Sequence, residues 1–583
     1  MKRIFLILPI IGMFLASCND SFLDRYPQTS IAEANFFKSV EDLQTFSNQF
    51  YDYWGPTYWD RPSDNITVYK NGISELMYGT LTQYNATGWD WGILRSVNYF
   101  LENSKKVTGD KNEILKYQAI GHFARAKFYF DKIKKFSDVP WYSNTLNTND
   151  SLLYKAADTR ELIADSIIAD LEFASQYLPD QIHKTLLSKW VAYTELARFC
   201  LYEGTHRKYH AGEKDLHVTK APEYFYNKAV EASNAVMQSG RFSIHTTGNP
   251  NEDYGNLFNG ELNLSANPEI LMYTDYERGK RTHGSELVLA FENGISRTMA
   301  DTYLYTDGTF VPQSVTDTLE FSFAFKDRDP RFKQSIMFPG YIYPTSTTPN
   351  SISIGITGGY GQIKFMPKQA AAHFEGCGTV YTDLPLYRYA EVLLINAEAL
   401  AELGKLTQTD LDNTINKLRK RAGVTDLKMN PPIDPVLNAF YNNITSSQKA
   451  ELLEVRRERN VELFAEGFRF DDLMRWKMGK VFEQKQQGIY VPKSGMVDMT
   501  GDGKPDYFIS DNDPGNITGV YKQITSNSDI PYYLEFGDHG HVMFKIEQNS
   551  EGVFIEPKHY YRPIPYSQIL LNPKLKQLFG WDN

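Results

Sequence analysis

Aromatic rings set beside amide, carboxylate and guanidinium groups recur in two stretches of this chain. That pairing suits a ligand with an apolar face and a rim of hydroxyls, such as a sugar ring. Trp59-Asp60-Arg61 places a platform next to two polar heads, and Tyr69-Lys70-Asn71 does the same ahead of Gly72. Further on, Tyr303 and Tyr305 alternate with polar residues before Thr306-Asp307-Gly308, so one strand face would present both rings. Tyr341, Tyr343 and Tyr360 extend this second set. For each tyrosine the competing reading is ordinary half-buried packing. Trp89 and Trp91 open a helix whose face is already apolar, and they read as core.

A second chemistry is suggested by Asp498-Met499-Thr500-Gly501-Asp502-Gly503-Lys504-Pro505-Asp506. Oxygen side chains on Asp498, Thr500 and Asp502, a turn glycine and Asp506 suit a hard cation, and the expectation is a structural calcium ion. Ile509 stands where an EF-hand needs its bidentate Glu, so that motif is excluded. The competing reading is a solvated acidic turn. No H-E-x-x-H, G-x-S-x-G, phosphate loop or dinucleotide fingerprint appears. None of the candidate residues above reads as a catalytic group. A glycoside hydrolase, which needs only two acids astride its substrate, is the rival enzyme.

The amino terminus carries a third chemistry. Lys2 and Arg3 precede an apolar run from Ile4 to Leu15, then Leu15-Ala16-Ser17-Cys18. This is a secretory signal over 1–17 with a lipobox, too short for a membrane span, and Cys18 would carry the lipid. Without Lys2 and Arg3 the balance is 59 basic against 71 acidic residues, or −12, which argues against nucleic acid as a partner. Cys200 and Cys377 would remain as thiols, too few for a cysteine metal site.

These candidates need elements to hold them. Ser39 followed by Asp42 caps a helix expected to reach Trp54. Helical period marks Trp89 to Asn103 and Asn112 to Phe136, then paired runs: Thr159 to Leu178 with Ser188 to Gly204, Ala221 to Ser239, and Tyr387 to Gly404 with Asp410 to Arg421. Leu196 to Gly204 and Ala397 to Gly404 share an Ala-rich helix with a Gly stop, the logic of tetratricopeptide-like repeats. Gly, Pro, Thr, Ser and Tyr dominate from Gly240 to Pro385, where Glu286 to Phe291 and Ile352 to Ile356 read as short strands. The expected fold is mainly α: a tetratricopeptide-like helical-repeat scaffold (mainly 31–54, 86–240 and 386–478) with a loop-rich face containing short strands (mainly 55–85 and 241–385). The stretch 479–583 reads as C-terminal loops.

Glu451 to Trp476 carries the densest paired charge, on a helix expected to break at Gly467. Acids with an Arg one turn away stay ionised and passive, so the stretch reads as architecture. From Glu458 to Trp476 the pattern E-R-x-x-E-L-F-x-E-G-x-R-x-x-D-L-x-R-W resembles a signature of the SusD/RagB family. Phe22-Leu23-Asp24 with Pro27, Gly121 to Pro140, Leu386 to Glu398, Ile415 to Gly423 and Tyr561 to Trp581 resemble its other segments, with His122 and Ser137 where Glu and Gly are usual. The resemblance implies a non-catalytic lipoprotein on the outer membrane surface of Bacteroidota. It would capture a glycan and act as a lid on a SusC-like TonB-dependent transporter; peptide capture is the alternative within the family. In such proteins a ligand-contacting aromatic tends to follow a Ser-Asp pair, so Ser63-Asp64 points to Tyr69 and adds Asp64 to the candidates.

Overall fold

The computed structural model describes residues 36–60, 63–67, 79–180, 183–285, 294–344, 346–349, 352, 354–369, 378–525, 532–545 and 553–582. The signal peptide, Cys18, Arg61, Tyr69, Asn71, Cys377 and the strand expected at Glu286 to Phe291 lie outside them, as does the Phe22 segment. The chain is mainly helical. The longer helices are α1 (Val40–Ser47), α2 (Gly92–Ser104), α3 (Lys111–Phe136), α4 (Arg160–Tyr177), α5 (Lys189–Tyr209), α6 (Pro222–Met237), α7 (Tyr389–Glu402), α8 (Ile415–Ala422), α9 (Lys449–Glu462) and α10 (Arg469–Arg475).

Local chemistry sets the helix starts. Ser39 and Asp42 form the expected capping box on α1, and the chain then tightens into a 3-10 turn over Asn48–Asp52. Asp110, Thr159 and Ser188 accept amide N–H bonds at the starts of α3, α4 and α5. Successive helices pack side by side from α2 through α6, and α7 packs on α6 and α9. Where α2 crosses α3, a Cβ at Gly121 would lie 2.7 Å from Leu101, so only glycine permits that approach.

Three expectations change. Gly204 does not stop α5, which runs on to Tyr209; it lets α6 approach, with Phe225 and the Pro222 carbonyl about 3.1 Å from where its Cβ would sit. Gly404, in a left-handed conformation at φ 67°, does follow the end of α7. Ile354–Thr357 forms one helical turn, not a strand. The segment beyond 479 holds two three-stranded sheets where loops were expected, in the orders β3-β8-β7 and β4-β5-β6. Their strands are β3 (Tyr490–Val491), β4 (Gly495–Val497), β5 (Tyr507–Ser510), β6 (Tyr521–Ile524), β7 (Tyr532–Leu534) and β8 (Gly540–Phe544). An antiparallel pair, β1 (Ile270–Thr274) with β2 (Leu384–Arg388), leads into α7.

Two large apolar cores result. One fills the helical scaffold, with Leu43, Phe123, Ile167, Val191, Leu393 and Leu452 among its fully or almost fully buried members. The other lies under the loop-rich face and includes Tyr254, Tyr303, Phe332, Ile354 and Val542. The strand residues Val491, Ile509 and Tyr532, and Ile489 just before β3, belong to this second core, so the sheets share their packing with the face.

Candidate functional site

The join between scaffold and face is a buried charge network on α9 and the turn after it. Glu462 accepts from Arg331 and Arg388 at 3.0 Å each and pairs with Arg421; Glu458 takes Arg331 at 2.6 Å and Arg419 at 3.2 Å. Glu466 takes both Arg388, at 2.6 Å, and Lys364, at 2.7 Å. Burial alone would raise the Glu462 carboxyl, but Arg421, Arg388 and Arg331 outweigh it and hold the carboxyl far below the usual range. The same contest leaves Glu466 and Asp472 lowered, while burial brings Lys364 down to about 8. Each acid of the signature is matched by a cation, which makes the motif a structural joint.

Two ligand candidates turn out to belong to that joint. The Asp60 carboxylate is buried; it accepts from the amides of Ala465 at 2.7 Å and Gly467 at 3.1 Å, and from the Asn65 side chain at 2.9 Å. It caps the chain where α9 ends, at a turn in which Ala465 and Gly467 have φ of 61° and 83°. Burial raises the Asp60 carboxyl because its nearest donors are neutral. Asp64 forms a two-pronged pair with Arg469, 2.8 Å on each arm. Neither carboxylate is available to a ligand.

The middle tyrosines divide. Tyr303 is fully buried and stacks on Phe332 at 4.7 Å, so it is a core residue and not a platform. Tyr305 is half-buried, its ring 5.8 Å from the Arg328 guanidinium. The pair does not share a strand face, because Tyr305 makes only an isolated bridge with Arg328. Trp59 is half-buried and meets Tyr58 edge-on at 5.2 Å.

Tyr341 occupies a different setting. It lines a hollow of about 260 Å³ together with Asn251, Asn256, Asn259, Gln334 and Lys368. Tyr343 stands against it edge-on at 5.5 Å and Phe338 at 5.7 Å, which fixes the ring. Gln334 bonds to Gly255, Pro250 and Pro330 and so is held in place, and Asn259 donates to Asn256 at 3.1 Å. A fixed ring with several amides around one hollow is the chemistry that hydroxyl-rich ligands require. Trp59, Tyr303 and Tyr305 do not line it. The amides around Tyr341 were missed in the sequence because Asn251 to Asn259 read as loop punctuation.

A second hollow, of about 210 Å³, lies between the short helix Arg297–Thr302 and α9. Asp301 lines it, and burial pushes its carboxyl up to about 6 despite Arg297 at 3.1 Å. Asp434, on the same wall, is held by Arg457 at 2.6 Å.

The expected calcium loop joins β4 to β5. Asp498 accepts from the amides of Gly501 at 2.6 Å and Gly503 at 2.8 Å, Asp502 from Lys504 at 2.8 Å, and Asp506 from Met499 at 2.7 Å. Thr500 reaches Asp498 at 3.4 Å. In this arrangement each of the three carboxylates accepts at least one amide of the turn, and Asp506 Oδ2 is buried without a hydrogen-bond partner. Among the described residues no helix is long and apolar enough to cross a membrane.

Comparison with known proteins agrees with the architecture. Residues 22–201 match a family described as starch-binding and associating with the outer membrane. SusD-like protein P2 of Formosa agariphila is 24% identical over 509 residues, covering 82% of this chain and 92% of its own; SusD-like protein P38 of the same organism is 26% identical over 521 residues, covering 81% and 90%. Among solved structures, a SusD-like carbohydrate-binding protein of Bacteroides fragilis superposes with a TM-score of 0.67 at 21% identity, over 93% of this chain and all of that one. A laminarin-binding SusD-like protein superposes with a TM-score of 0.54 at 16% identity, over 93% and all. Residues 225–581 match the SusD family itself, and the chain belongs to that family.

Proposed function

We propose that this protein is a lipid-anchored lipoprotein on the outer membrane surface that captures a glycan at its loop-rich face. It delivers the glycan to a SusC-like TonB-dependent transporter and leaves hydrolysis to other proteins. The observation that carries the reading is the Tyr341 hollow, a fixed aromatic ring among amides in a chain of the SusD family. The lipobox at Cys18 supplies the anchor, and the family description of outer-membrane association supports the location. The laminarin-binding neighbour makes β-glucans the first ligands to try.

The test is titration calorimetry of the chain from Asn19 onward against laminarin, other polysaccharides and oligopeptides, with reducing ends assayed in the same samples. Binding of a polysaccharide without new reducing ends is the expected result. New reducing ends would replace capture with hydrolysis, and heat only with peptides would transfer the site to a peptide ligand.

A further inference from the structure

A hollow of about 450 Å³ opens on the helical scaffold and shares no wall with the Tyr341 hollow. Trp91 and Leu94 at the start of α2, Tyr142 after α3, Tyr154 of the 3-10 turn Ser151–Tyr154 and Leu571 of the short helix Tyr566–Leu571 line it. Turn and helix are tied together, since Asn572 donates to the Lys155 carbonyl at 2.9 Å. Both carry apolar side chains into solvent. Leu570 and Leu571 are 63% and 65% exposed, and Leu152 is 50% exposed. The edge continues at Tyr566, whose ring lies 5.2 Å from that of Tyr84, itself 75% exposed. A contiguous apolar patch of this kind marks a surface that something covers.

Hydrogen bonding narrows what that is. The donors of the two buried amides in the hollow are spent: Asn98 donates to the Tyr142 and Asn144 carbonyls at 2.9 and 3.2 Å, and Asn572 to Lys155. Arg95, on the same wall, donates to the Leu146 carbonyl. A peptide or a sugar seated here finds few of the partners its polar groups need, whereas hydrocarbon needs none.

The path of the chain favours lipid as well. Phe37 meets Tyr99 of α2 edge-on at 5.7 Å, and Trp91 to Asn98 of the same helix region wall the hollow. The described chain therefore enters within about the 20 Å length of α2 from this face. Residues 19–35, whatever their form, span no more than about 60 Å, so a lipid on Cys18 keeps the face close to a bilayer.

We infer that this face docks on the lipid surface to which Cys18 ties the chain. Leu152, Leu570 and Leu571 enter the acyl region, and Tyr84, Tyr154 and Tyr566 suit the headgroup level. The tether rests on the lipobox reading above; the face rests on its own geometry.

The test is flotation of the unlipidated chain from Asn19 onward with phosphatidylcholine vesicles, so that no acyl anchor contributes. The wild type should float. Leu570→Asp/Leu571→Asp should lower the bound fraction at least about tenfold, with the melting temperature unchanged because both side chains stand in solvent. Leu152→Asp, on the other element, should lower it by a smaller factor. A wild type that does not float, or one that floats no better than the double variant, overturns the docking. A dimer that the two aspartates abolish, without flotation, gives the face to a second copy instead. Flotation only of a chain that starts at Phe36 gives the hollow to the residues before it. Laminarin binding without flotation sinks only this surface, and flotation of a chain whose Cys18 takes no lipid in cells sinks only the anchor.

Discussion

The joint around Glu462 and the hollow around Tyr341 use similar polar residues for opposite ends. At the joint, carboxylates and guanidiniums face one another in the dry interior, and every acid of the signature has a cation within hydrogen-bond reach. At the hollow, amides stand beside the Tyr341 and Phe365 rings around open space, and Gln334 is bonded to backbone that holds it in position. Dense, mutually paired charge marks architecture in this chain, while amides beside a fixed ring around open space are what the proposed capture of a glycan uses. The joint also explains why so much of the face can be loop. Arg331 and Lys364, both from the face, are clamped onto one helix end together with Arg388 at the start of α7.

If that contrast is right, breaking the joint should unfold the protein without any special effect on ligand. Glu462→Gln leaves three buried arginines short of a counter-charge and should cost about 3–5 kcal/mol, read by denaturant unfolding. A loss under about 1 kcal/mol would show that the network is not what holds scaffold and face together. The acid response follows in sign. Glu462 and Glu466 ionise below 4.5 in the folded chain, and their unfolded counterparts near 4.5. The unfolded state therefore takes up protons first, so the stabilisation is complete above about pH 4.5 and is lost as pH falls below it. Stability that holds level from pH 5 down to pH 3 would contradict this. Asp60→Asn comes next, at about 1–3 kcal/mol, because a buried carboxylate that caps two amides loses part of its accepting capacity. Glycan affinity should stay as it was, and a selective loss of binding would return Asp60 to the ligand site.

The scaffold was legible in the sequence because its signals are local. Ser39 with Asp42, the apolar period of α3 and the stop at Gly404 all act within a few residues, and each appears where expected. The face was legible only as a change of composition. Asp60 follows Trp59 in the chain and Asp64 follows Ser63, but their partners Ala465, Gly467 and Arg469 are about four hundred positions away. Tyr303 looked like one of an alternating pair, yet a single bridge between Tyr305 and Arg328 replaces a strand there, and Tyr303 turns into the core. Gly204 shows the same limit in a helix. Its role is the contact with Phe225 and Tyr226 of α6, which no spacing around Gly204 itself encodes.

On the binding side, Tyr341→Ala should weaken laminarin about tenfold, or about 1.4 kcal/mol. It should shift the melting temperature little, since the ring lines open space. Trp59→Ala is the companion, expected to fall short of that effect because Trp59 does not line the hollow. The reverse ranking would move the ligand to the entry loop. The smallest effect concerns the Asp498 to Asp506 turn. Its carboxylates already accept from Gly501, Gly503, Lys504 and Met499, so the turn is closed by its own amides without a cation. Chelation with EDTA should therefore move the melting temperature by less than about 1 °C. A fall of several degrees, restored by added calcium, would mean that the turn opens to take the ion, and that the β4–β5 segment depends on a ligand in the way the Glu462 joint depends on its arginines.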